Sequence, residues 1–356
     1  MPGIRTFTIA VSLFCILNSA AYADNAEEEK SPLKLDMGGG VSVTLYGYVK
    51  ADFIWDDGYD LGKTTFNLKS IGLPSGPAAG EFDRAQLNET RIGFDIRGQN
   101  GIFARFEGDF FGTDDSLRLR HAYLSWNGFI VGQNWTNFMS TETLADTVDF
   151  QGPGALPFAR VPQIRYTYDG FDDLSLSLSA EEDVSNSDDY AYTVAARYGF
   201  DRGMVRVAGL WRDATIAGAQ VDGWGLNLSG VMSFWPGGTI KANLATGKGI
   251  SDILAVGLTG NALFMNGSAA GVNAAATSVT HQVSPKLLVA ATHSWVGVDQ
   301  ASGIDTKKVE SIHLSAFYEV RKNTTLMAEF FAGRRTQGDG TKFNSNRVQL
   351  AVKFAF

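Results

Sequence analysis

The segment 346–356, "NRVQLAVKFAF", alternates apolar and polar side chains up to the last residue of the chain. Successive side chains of an extended strand point to opposite faces, so the alternation separates two sets. One face holds Val348, Leu350, Val352, Phe354 and Phe356. The other face holds Arg347, Gln349, Ala351, Lys353 and Ala355. The last strand of a soluble sheet normally frays into polar residues, so the pattern favours a terminal strand that closes a ring within a membrane.

The same period-two alternation predicts about sixteen strands along the chain. The predicted strands are 41–55, 84–98, 101–112, 116–126, 129–135, 160–168, 172–182, 189–200, 203–213, 221–234, 238–248, 274–283, 286–297, 308–320, 324–335 and 345–356. Short turns such as Asn127-Gly128 alternate with longer connections such as 56–83, 136–159 and 249–273. Short periplasmic turns and long external loops are typical of outer-membrane barrels. We therefore predict an all-β, up-and-down antiparallel transmembrane barrel.

Residues 1–23 have the form of a secretory signal peptide, in which Arg5 precedes a short apolar core and Ala21-Tyr22-Ala23 marks the cleavage site. We assign 24–40 to a short periplasmic lead-in with little structure of its own, and 41–356 to the barrel. Cys15 is the only cysteine and lies in the leader, so we expect no disulfide in the exported chain. The remaining sequence has no run of about 18 apolar residues, which excludes a transmembrane helix and leaves either a soluble periplasmic or secreted β-protein or an outer-membrane barrel. Because the strand and loop pattern favours the barrel, the expected location is the cell outer membrane.

The chain has a formal net charge of −8, which makes nucleic acid an unfavourable partner. Arginines nevertheless recur on the polar parity of the predicted strands. An arginine on the lipid face near the bilayer midplane costs about 2–4 kcal/mol, so this parity is expected to face the lumen. The predicted channel-lining residues are Arg91, Arg97, Arg105, Arg118, Arg120, Arg165, Arg197 and Arg206. A bore lined with cations concentrates anions; alternatively, each arginine is only the structural partner of a nearby carboxylate.

The segment 116–135, "SLRLRHAYLSWNGFIVGQNW", follows this scheme only in part. Arg118 and Arg120 are expected to face the bore, and the residues expected to face outward are Leu117, Leu119 and Tyr123. His121 then falls on the apolar parity, and two apolar residues fall on the charged parity: Leu124 and Trp126. A β-bulge or a contact with another protomer would each explain the change. The sequence leaves both open.

The long connection 136–159 is expected to fold into the bore. Its acids Glu142, Asp146 and Asp149 would then face the arginine wall and set up a transverse field across a constriction. The alternative is a loop that stays outside the barrel as a lid.

Five segments together resemble the DcaP-like porins of Gram-negative bacteria: "RAQLNETRIGFDIRG" (84–98), "GIFARFEGDFFG" (101–112), "LRLRHAYLSW" (117–126), "VGQNWTNFM" (131–139) and "DTVDFQGPG…RVPQIRYTY" (146–154 and 160–168). The resemblance is strongest from 45 to 168. It implies a homotrimer of sixteen-stranded barrels that passes small anionic solutes, with dicarboxylates as the associated substrate class. It also implies an anion path lined by Arg91, Arg97, Arg118, Arg120 and Arg165. The chain departs from the family pattern because 24–40 is too short and Gly-rich for the helical N-terminal extension of some members.

Ending on an aromatic residue is similar to the C-terminal signature of bacterial outer-membrane proteins. This similarity implies that the barrel assembly machinery recognises the last strand through Phe354 and Phe356. The partners expected besides this machinery are small anionic solutes, outer-membrane lipid and lipopolysaccharide.

The sequence suggests neither a cofactor nor a metal, because the four histidines are scattered and the exported chain has no cysteine. Two other functions stay open. An outer-membrane barrel enzyme of the lipase or protease type would need His121 together with a serine such as Ser116 or Ser125. A soluble secreted β-protein that binds carbohydrate is the third reading. We expect a channel and not an enzyme.

Overall fold

The computed structural model describes residues 33–185, 188–216 and 218–356, and Lys34–Phe356 forms one compact unit. The predicted signal peptide and residues 24–32 of the predicted lead-in lie outside the described residues. The strands are β1 (Lys34–Gly38), β2 (Val41–Tyr59), β3 (Ala79–Gln86), β4 (Arg91–Arg97), β5 (Phe103–Asp109), β6 (Arg118–Trp126), β7 (Phe129–Trp135), β8 (Arg160–Tyr168), β9 (Leu174–Glu182), β10 (Tyr190–Phe200), β11 (Gly203–Ile216), β12 (Ala219–Trp235), β13 (Gly238–Lys248), β14 (Phe264–Met265), β15 (Ser268–Ala269), β16 (Gly271–Ser284), β17 (Leu287–Val298), β18 (Thr306–Arg321), β19 (Thr324–Gln337) and β20 (Lys342–Ala355).

Within the described residues, the helices are five short 3₁₀ turns. They span Thr65–Ser70, Gln99–Gly101, Thr113–Asp115, Thr141–Thr143 and Gly260–Ala262. Across the described part of the chain, no helix is both long enough and apolar enough to cross a membrane.

The sheet closes on itself as an antiparallel ring of sixteen strand positions. Each wall strand pairs with the next one in sequence, and β20 pairs with β2 to close the ring. β3 and β4 together occupy one position, because β2 pairs with β3 through 52–59 and with β4 through 42–48. β14 and β15 form a separate hairpin within the connection between β13 and β16. The predicted all-β barrel is confirmed.

Alternation along each strand gives the wall its two faces. In β12, Leu226 and Leu228 are 50% and 46% exposed, whereas Asn227 and Ser229 are 1% and 2% exposed. Apolar side chains therefore cover the outside, where lipid requires them, and polar side chains line the inside. The arrangement repeats around the ring and explains why a chain of average hydrophobicity forms a membrane-spanning wall.

The C-terminal residue closes the ring by backbone pairing. The amide of Phe356 donates to the carbonyl of Gly47 over 3.0 Å, and the amide of Gly47 donates to the carbonyl of Phe356 over 3.2 Å. A Cβ at position 47 would lie 2.3 Å from the carbonyl oxygen of Arg91, so the glycine allows the backbone of β4 to lie this close to β2. Phe354 and Phe356 both lie exposed on the outer face. Their recognition by the assembly machinery stays a prediction.

The expectation that 24–40 has little structure is wrong for Lys34–Gly38. These residues form β1, which pairs with β2 from Lys34 opposite Thr44 to Gly38 opposite Val41. β20 pairs with the same edge of β2 only from Tyr48 onward. β1 therefore satisfies backbone groups of β2 that would otherwise stay unpaired beyond the end of β20.

The long connections 60–78, 136–159 and 249–270 share a buried apolar cluster that sequence patterning did not predict. The cluster includes Leu61 and Leu68 of the first connection, Phe138 and Leu156 of the second, and Ile250 and Leu254 of the third. Inward residues of the wall, including Val296 and Phe331, pack against them. Part of the barrel interior is therefore filled by packed loop residues.

Candidate functional site

All eight arginines predicted to line the channel lie on wall strands, in β4, β5, β6, β8, β10 and β11. The ion pairs of Arg105 and Arg118 connect neighbouring strands. Arg105 binds Asp95 with two hydrogen bonds of 2.7 and 2.8 Å. Arg118 binds Asp109 in the same two-pronged way, over 2.9 and 2.8 Å. In both pairs the partners lie directly opposite each other on adjacent strands, so these ion pairs link neighbouring strands on the inner face of the wall.

Arg120 and Arg91 join the same network. Arg120 donates to Glu107 over 2.8 Å and to Asp109 over 2.9 Å, and its side chain is almost fully buried. Arg91 lies 3.5 Å from Glu107 and 5.1 Å from the ring of Tyr48. Several arginines thus share two carboxylates, which leaves local positive charge uncompensated.

Arg165 and Arg206 have no carboxylate partner among the residues that the structure describes. The Nε of Arg165 and the Nη1 of Arg206 are buried without a hydrogen bond there. Arg206 donates through Nη2 to the backbone carbonyl and to Oδ1 of Asn137. Arg97 is exposed near the short-turn end of β4 and stacks 5.0 Å from the ring of Phe103.

Arg160, the first residue of β8, is a further inner cation that the sequence analysis missed. Its guanidinium stacks 4.9 Å from the ring of Trp135 and lies within electrostatic range of Arg120 and Asp109. Its Nη1 is buried without a hydrogen bond to any described residue. Arg160 has the same parity as the outward-facing Ile164, so alternation gave no signal. Its place directly after a long loop was the only available hint.

A β-bulge in β6 accounts for the anomaly at His121. Glu107 lies opposite His121, but Gly108 lies opposite Leu119, so Arg120 is the extra residue. Arg120 and His121 are consequently both buried on the inner side, at 3% and 6% exposure. Leu117 and Leu119 are exposed on the outer face, whereas Arg118 and Arg120 lie on the inner face of β6. This geometry agrees with the faces predicted for these four residues.

Beyond the bulge the faces of β6 exchange. Tyr123 lies opposite Arg105 and packs 6.0 Å from the Phe103 ring, whereas Leu124 and Trp126 are exposed on the outer face. The expectation that Tyr123 faces outward is therefore wrong. The His121 ring makes edge contacts with Tyr123 and Trp135 at 6.3 and 5.7 Å, so the bulge explains its parity without another protomer.

The connection 136–159 folds inside the ring and hydrogen-bonds to inward side chains of the wall. Asn243 of β13 donates to Thr143 over 2.6 Å, and Lys241 donates to the Leu144 carbonyl over 2.8 Å. At the start of the connection, the Asn137 amide donates to Glu181 of β9 over 2.7 Å. This inner loop thus follows the wall away from β8.

Val148 is held at both of its backbone groups. Its amide donates to Glu329 of β19 over 2.7 Å, and its carbonyl accepts from Lys50 of β2 over 2.7 Å. Glu329 also accepts from Ser315 over 2.7 Å and lies 3.1 Å from His313 Nδ1. These contacts fix the inner loop against the part of the wall where the ring closes.

The three loop acids do not stand free opposite the arginine wall, which corrects the expected transverse arrangement. Glu142 pairs with Arg197 of β10 over 2.7 Å, and Asp146 pairs with Lys241 over 2.7 Å. Asp149 pairs with Arg347 of β20 over 3.1 Å and accepts from the Thr65 hydroxyl over 2.8 Å. Each acid anchors the loop to the wall behind it. Hydrogen bonding from Arg197 lowers the pKa of Glu142 below its usual range, so this anchor stays charged at neutral pH.

On the side of β5 and β6, the inner loop presents an aromatic ring. Phe150 lies 4.6 Å from the Phe111 ring, and its ring is 5.7 and 5.4 Å from the guanidinium carbons of Arg118 and Arg120.

The described residues include no group of three or more His, Cys, Asp and Glu side chains that could hold a metal ion.

The chain matches the family model described as Gram-negative porin over residues 8–352. It is similar to the crystal structure of the outer membrane channel DcaP of Acinetobacter baumannii, with 25% identity and a TM-score of 0.79 over 90% of this chain and 99% of that one. No curated protein sequence matches it.

Two further solved structures share the fold. The anion-selective porin from Comamonas acidovorans is 15% identical, with a TM-score of 0.61 over 89% of this chain and all 100% of that one. The trimer form of OmpT of Vibrio cholerae is 14% identical, with a TM-score of 0.59 over 89% and 100% of the two chains.

The family match spans almost the whole sequence, and the closed ring has an apolar outer face and a polar inner face crossed by a loop. These features are those of a channel wall in lipid and not of a soluble sheet. The chain therefore belongs to the Gram-negative porins, resembles the DcaP channel in sequence and fold, and resides in the outer membrane.

Proposed function

We propose that this porin is a passive channel that prefers small anionic solutes, dicarboxylates among them. The observation that carries the proposal is the charge of one inner arc. Strands β4 to β8 hold three carboxylates and seven arginines. The carboxylates are Asp95, Glu107 and Asp109. The arginines are Arg91, Arg97, Arg105, Arg118, Arg120, Arg160 and Arg165.

The loop acids do not cancel this excess. Glu142, Asp146 and Asp149 are each taken up by a cation outside the arc: Arg197, Lys241 and Arg347. The positive arc is thus left to attract mobile anions, and its field acts strongly beside low-dielectric walls. Guanidinium groups also present a planar fork that matches a carboxylate.

Arg160 and Arg165 are the best candidates for contacts with a passing carboxylate. Neither has a carboxylate partner among the described residues, and both side chains are only half-buried. They lie on the same strand, five positions apart, which corresponds to about 16 Å along a β-strand. Two such donors along the path favour solutes that carry more than one negative charge. The porin from Comamonas acidovorans, which shares this fold, is anion-selective, and this likeness supports the preference for anions.

A double substitution Arg160→Gln and Arg165→Gln tests this proposal. We expect the anion-to-cation permeability ratio, measured from reversal potentials in planar bilayers, to fall severalfold. Influx of a dicarboxylate into proteoliposomes should slow, whereas influx of an uncharged sugar of similar size should not. Arg334→Gln is the matched control, because Arg334 is an exposed arginine on the outer face of β19. An unchanged permeability ratio in the double variant would refute the proposed role of these arginines.

We also propose that the protein assembles as a homotrimer. β5 and β7 have seven residues each, whereas a strand needs about 9–11 to cross the hydrocarbon. The outer face of β5 and β7 nevertheless exposes Phe106, Phe129 and Val131. In a trimer, neighbouring copies packed against these short strands would cover the apolar side chains that the hydrocarbon does not reach. Light scattering corrected for bound detergent should give the mass of three chains, and the mass of one chain would reject the proposal.

A further inference from the structure

The connection between β13 and β16 enters the barrel near its start. Ile250 is fully buried there, and Leu254 is 2% exposed. Arg212 of β11, whose own side chain is fully buried on the inner face, donates to Asp252 over 2.7 Å. Residues 250–258, which we call the supporting segment, therefore lie inside the wall and not in the water above it.

The supporting segment pairs with the end of the inner loop in the manner of two short antiparallel strands. The amide of Ala255 donates to the carbonyl of Leu156 over 2.8 Å. In return, the amide of Phe158 donates to the carbonyl of Ile253 over 2.9 Å. Residues 153–158, the return arm of the inner loop, are thus bound by another connection inside the bore.

The return arm is also packed closely against the supporting segment. The amide of Val256 donates to the carbonyl of Gly154 over 2.9 Å, and a Cβ at position 154 would lie only 3.1 Å from the Cβ of Val256. Leu156 is 4% exposed. From the wall, the Ser294 hydroxyl accepts from the amide of Ala155 over 3.1 Å. Among the described contacts of the return arm, three backbone hydrogen bonds therefore come from the supporting segment and one comes from a wall side chain.

The supporting segment is fixed by contacts that do not involve the inner loop. The buried hydroxyl of Ser251 lies 2.9 Å from the carbonyl oxygens of both Leu258 and Ala262. Lys69, in the connection between β2 and β3, donates to the carbonyl of Gly257 over 2.7 Å. The segment can therefore act as the fixed member of the pair, against which the return arm is held.

Phe150 lies between two anchors just before the return arm. On one side, Asp149 pairs with Arg347 of the wall over 3.1 Å. On the other side, the side-chain amide of Gln151 donates to the carbonyl of Ala255 in the supporting segment. Between these anchors, the ring of Phe150 is held 5.7 and 5.4 Å from the two arginines of β6. Loss of the second anchor would allow this ring to move away from the arginines.

We propose that the supporting segment positions the constriction of the bore. It holds the return arm and Phe150 opposite the arginines of β6, so the width of the bore at this level depends on a connection more than ninety residues further along the chain. The inference rests on the porin function alone and does not depend on which ions the bore prefers.

Replacement of residues 250–258 by nine glycine and serine residues tests this role and keeps the length of the connection. Single-channel conductance is measured in planar bilayers at about 1 M potassium chloride, where charges are screened within about 3 Å, so the conductance reports the width of the bore. We expect a conductance above that of the wild type. Proteoliposomes with the variant should also admit oligosaccharides that are too large for the wild type. Only folded, inserted channels conduct, so a general loss of stability cannot produce this result.

Val256→Pro is a milder variant for the case in which the replaced segment prevents folding. It removes the amide that donates to Gly154 with little change in side-chain volume, and the conductance should again rise. The matched control replaces 264–269, which contains the hairpin of β14 and β15 in the same connection. Among the described residues this hairpin makes no hydrogen bond to the inner loop, so the control should conduct as the wild type does.

Wild-type conductance in the folded variants of the supporting segment would overturn the proposal, as would an equal rise in the control. The proposed anion preference is decided separately, by the sign of the reversal potential of the wild type, so either claim can fail alone.

Discussion

Arg347 shows how this porin uses a fully buried charge. Its guanidinium donates to both oxygens of Asp56, over 2.7 and 2.9 Å, and to Asp149 over 3.1 Å. It therefore joins the closing strand β20, the first wall strand β2 and the inner loop. Such a buried cation is stable because its carboxylate partners are charged and buried as well. Loss of one member leaves the remaining buried charges without compensation for their desolvation, which destabilises the fold.

We predict that Arg347→Gln strongly destabilises the barrel. It would leave two buried carboxylates without their cation, which typically costs about 3–5 kcal/mol. The midpoint of thermal unfolding in detergent should fall clearly. Arg334→Gln removes an arginine of the same size from the exposed outer face, where substitutions usually change stability by about 0.5 kcal/mol or less. Equal shifts for the two variants would contradict the structural role assigned to Arg347.

At the scale of the strand, the bulge in β6 decides which side chains reach the bore. A strand with strict alternation could not bring Arg120 and His121 to the same face, and the extra residue at Arg120 does so while restoring the pairing of Tyr123 with Arg105. The bulge therefore adds one arginine to the inner wall without disturbing the rest of the ladder.

Deletion of Arg120 should consequently be tolerated by the fold. Leu119 would then be followed by an inward His121, and β6 would pair with β5 and β7 in regular register. Deletion of Leu124 is the matched control, because it removes one residue from a regular part of the strand and must turn the following side chains to the wrong face. We expect a folded, heat-modifiable barrel for the first variant and a greatly reduced folded fraction for the second, as measured by gel shift. Equal loss of folding would show that the bulge is not an insertion.

The accuracy of the sequence analysis differs between strands and loops for a physical reason. The predicted bounds of β7, β8 and β13 agree with the observed bounds at both ends. Lipid outside and water inside impose alternation on every regular strand, so the sequence shows where such a strand begins and ends. Tyr123 and Arg160 were misplaced or missed, since parity is informative only while pairing is regular. The partners of Asp146 and Asp149 lie 95 and 198 residues away, and no local pattern encodes contacts of that kind.

Across the whole molecule, the net charge of the chain and the charge of strands β4 to β8 have opposite signs. The chain carries −8 overall, yet strands β4 to β8 hold seven arginines and three carboxylates. Exposed acids such as Asp213 and Asp222 at the outer rim account for part of the difference. A solute in the bore responds to the nearby wall and not to the total charge, because salt screens distant charges within about 10 Å at 0.1 M ionic strength.

The central claim is that the uncompensated inner arc makes this porin anion-preferring. The most direct measurement is the reversal potential of the wild-type protein in a planar bilayer under a gradient of potassium chloride. We predict a potential of the sign that reports chloride as the more permeant ion, and a smaller potential at high salt, where the arginines are screened. A reversal potential of the opposite sign, which reports potassium as the more permeant ion, would contradict the account.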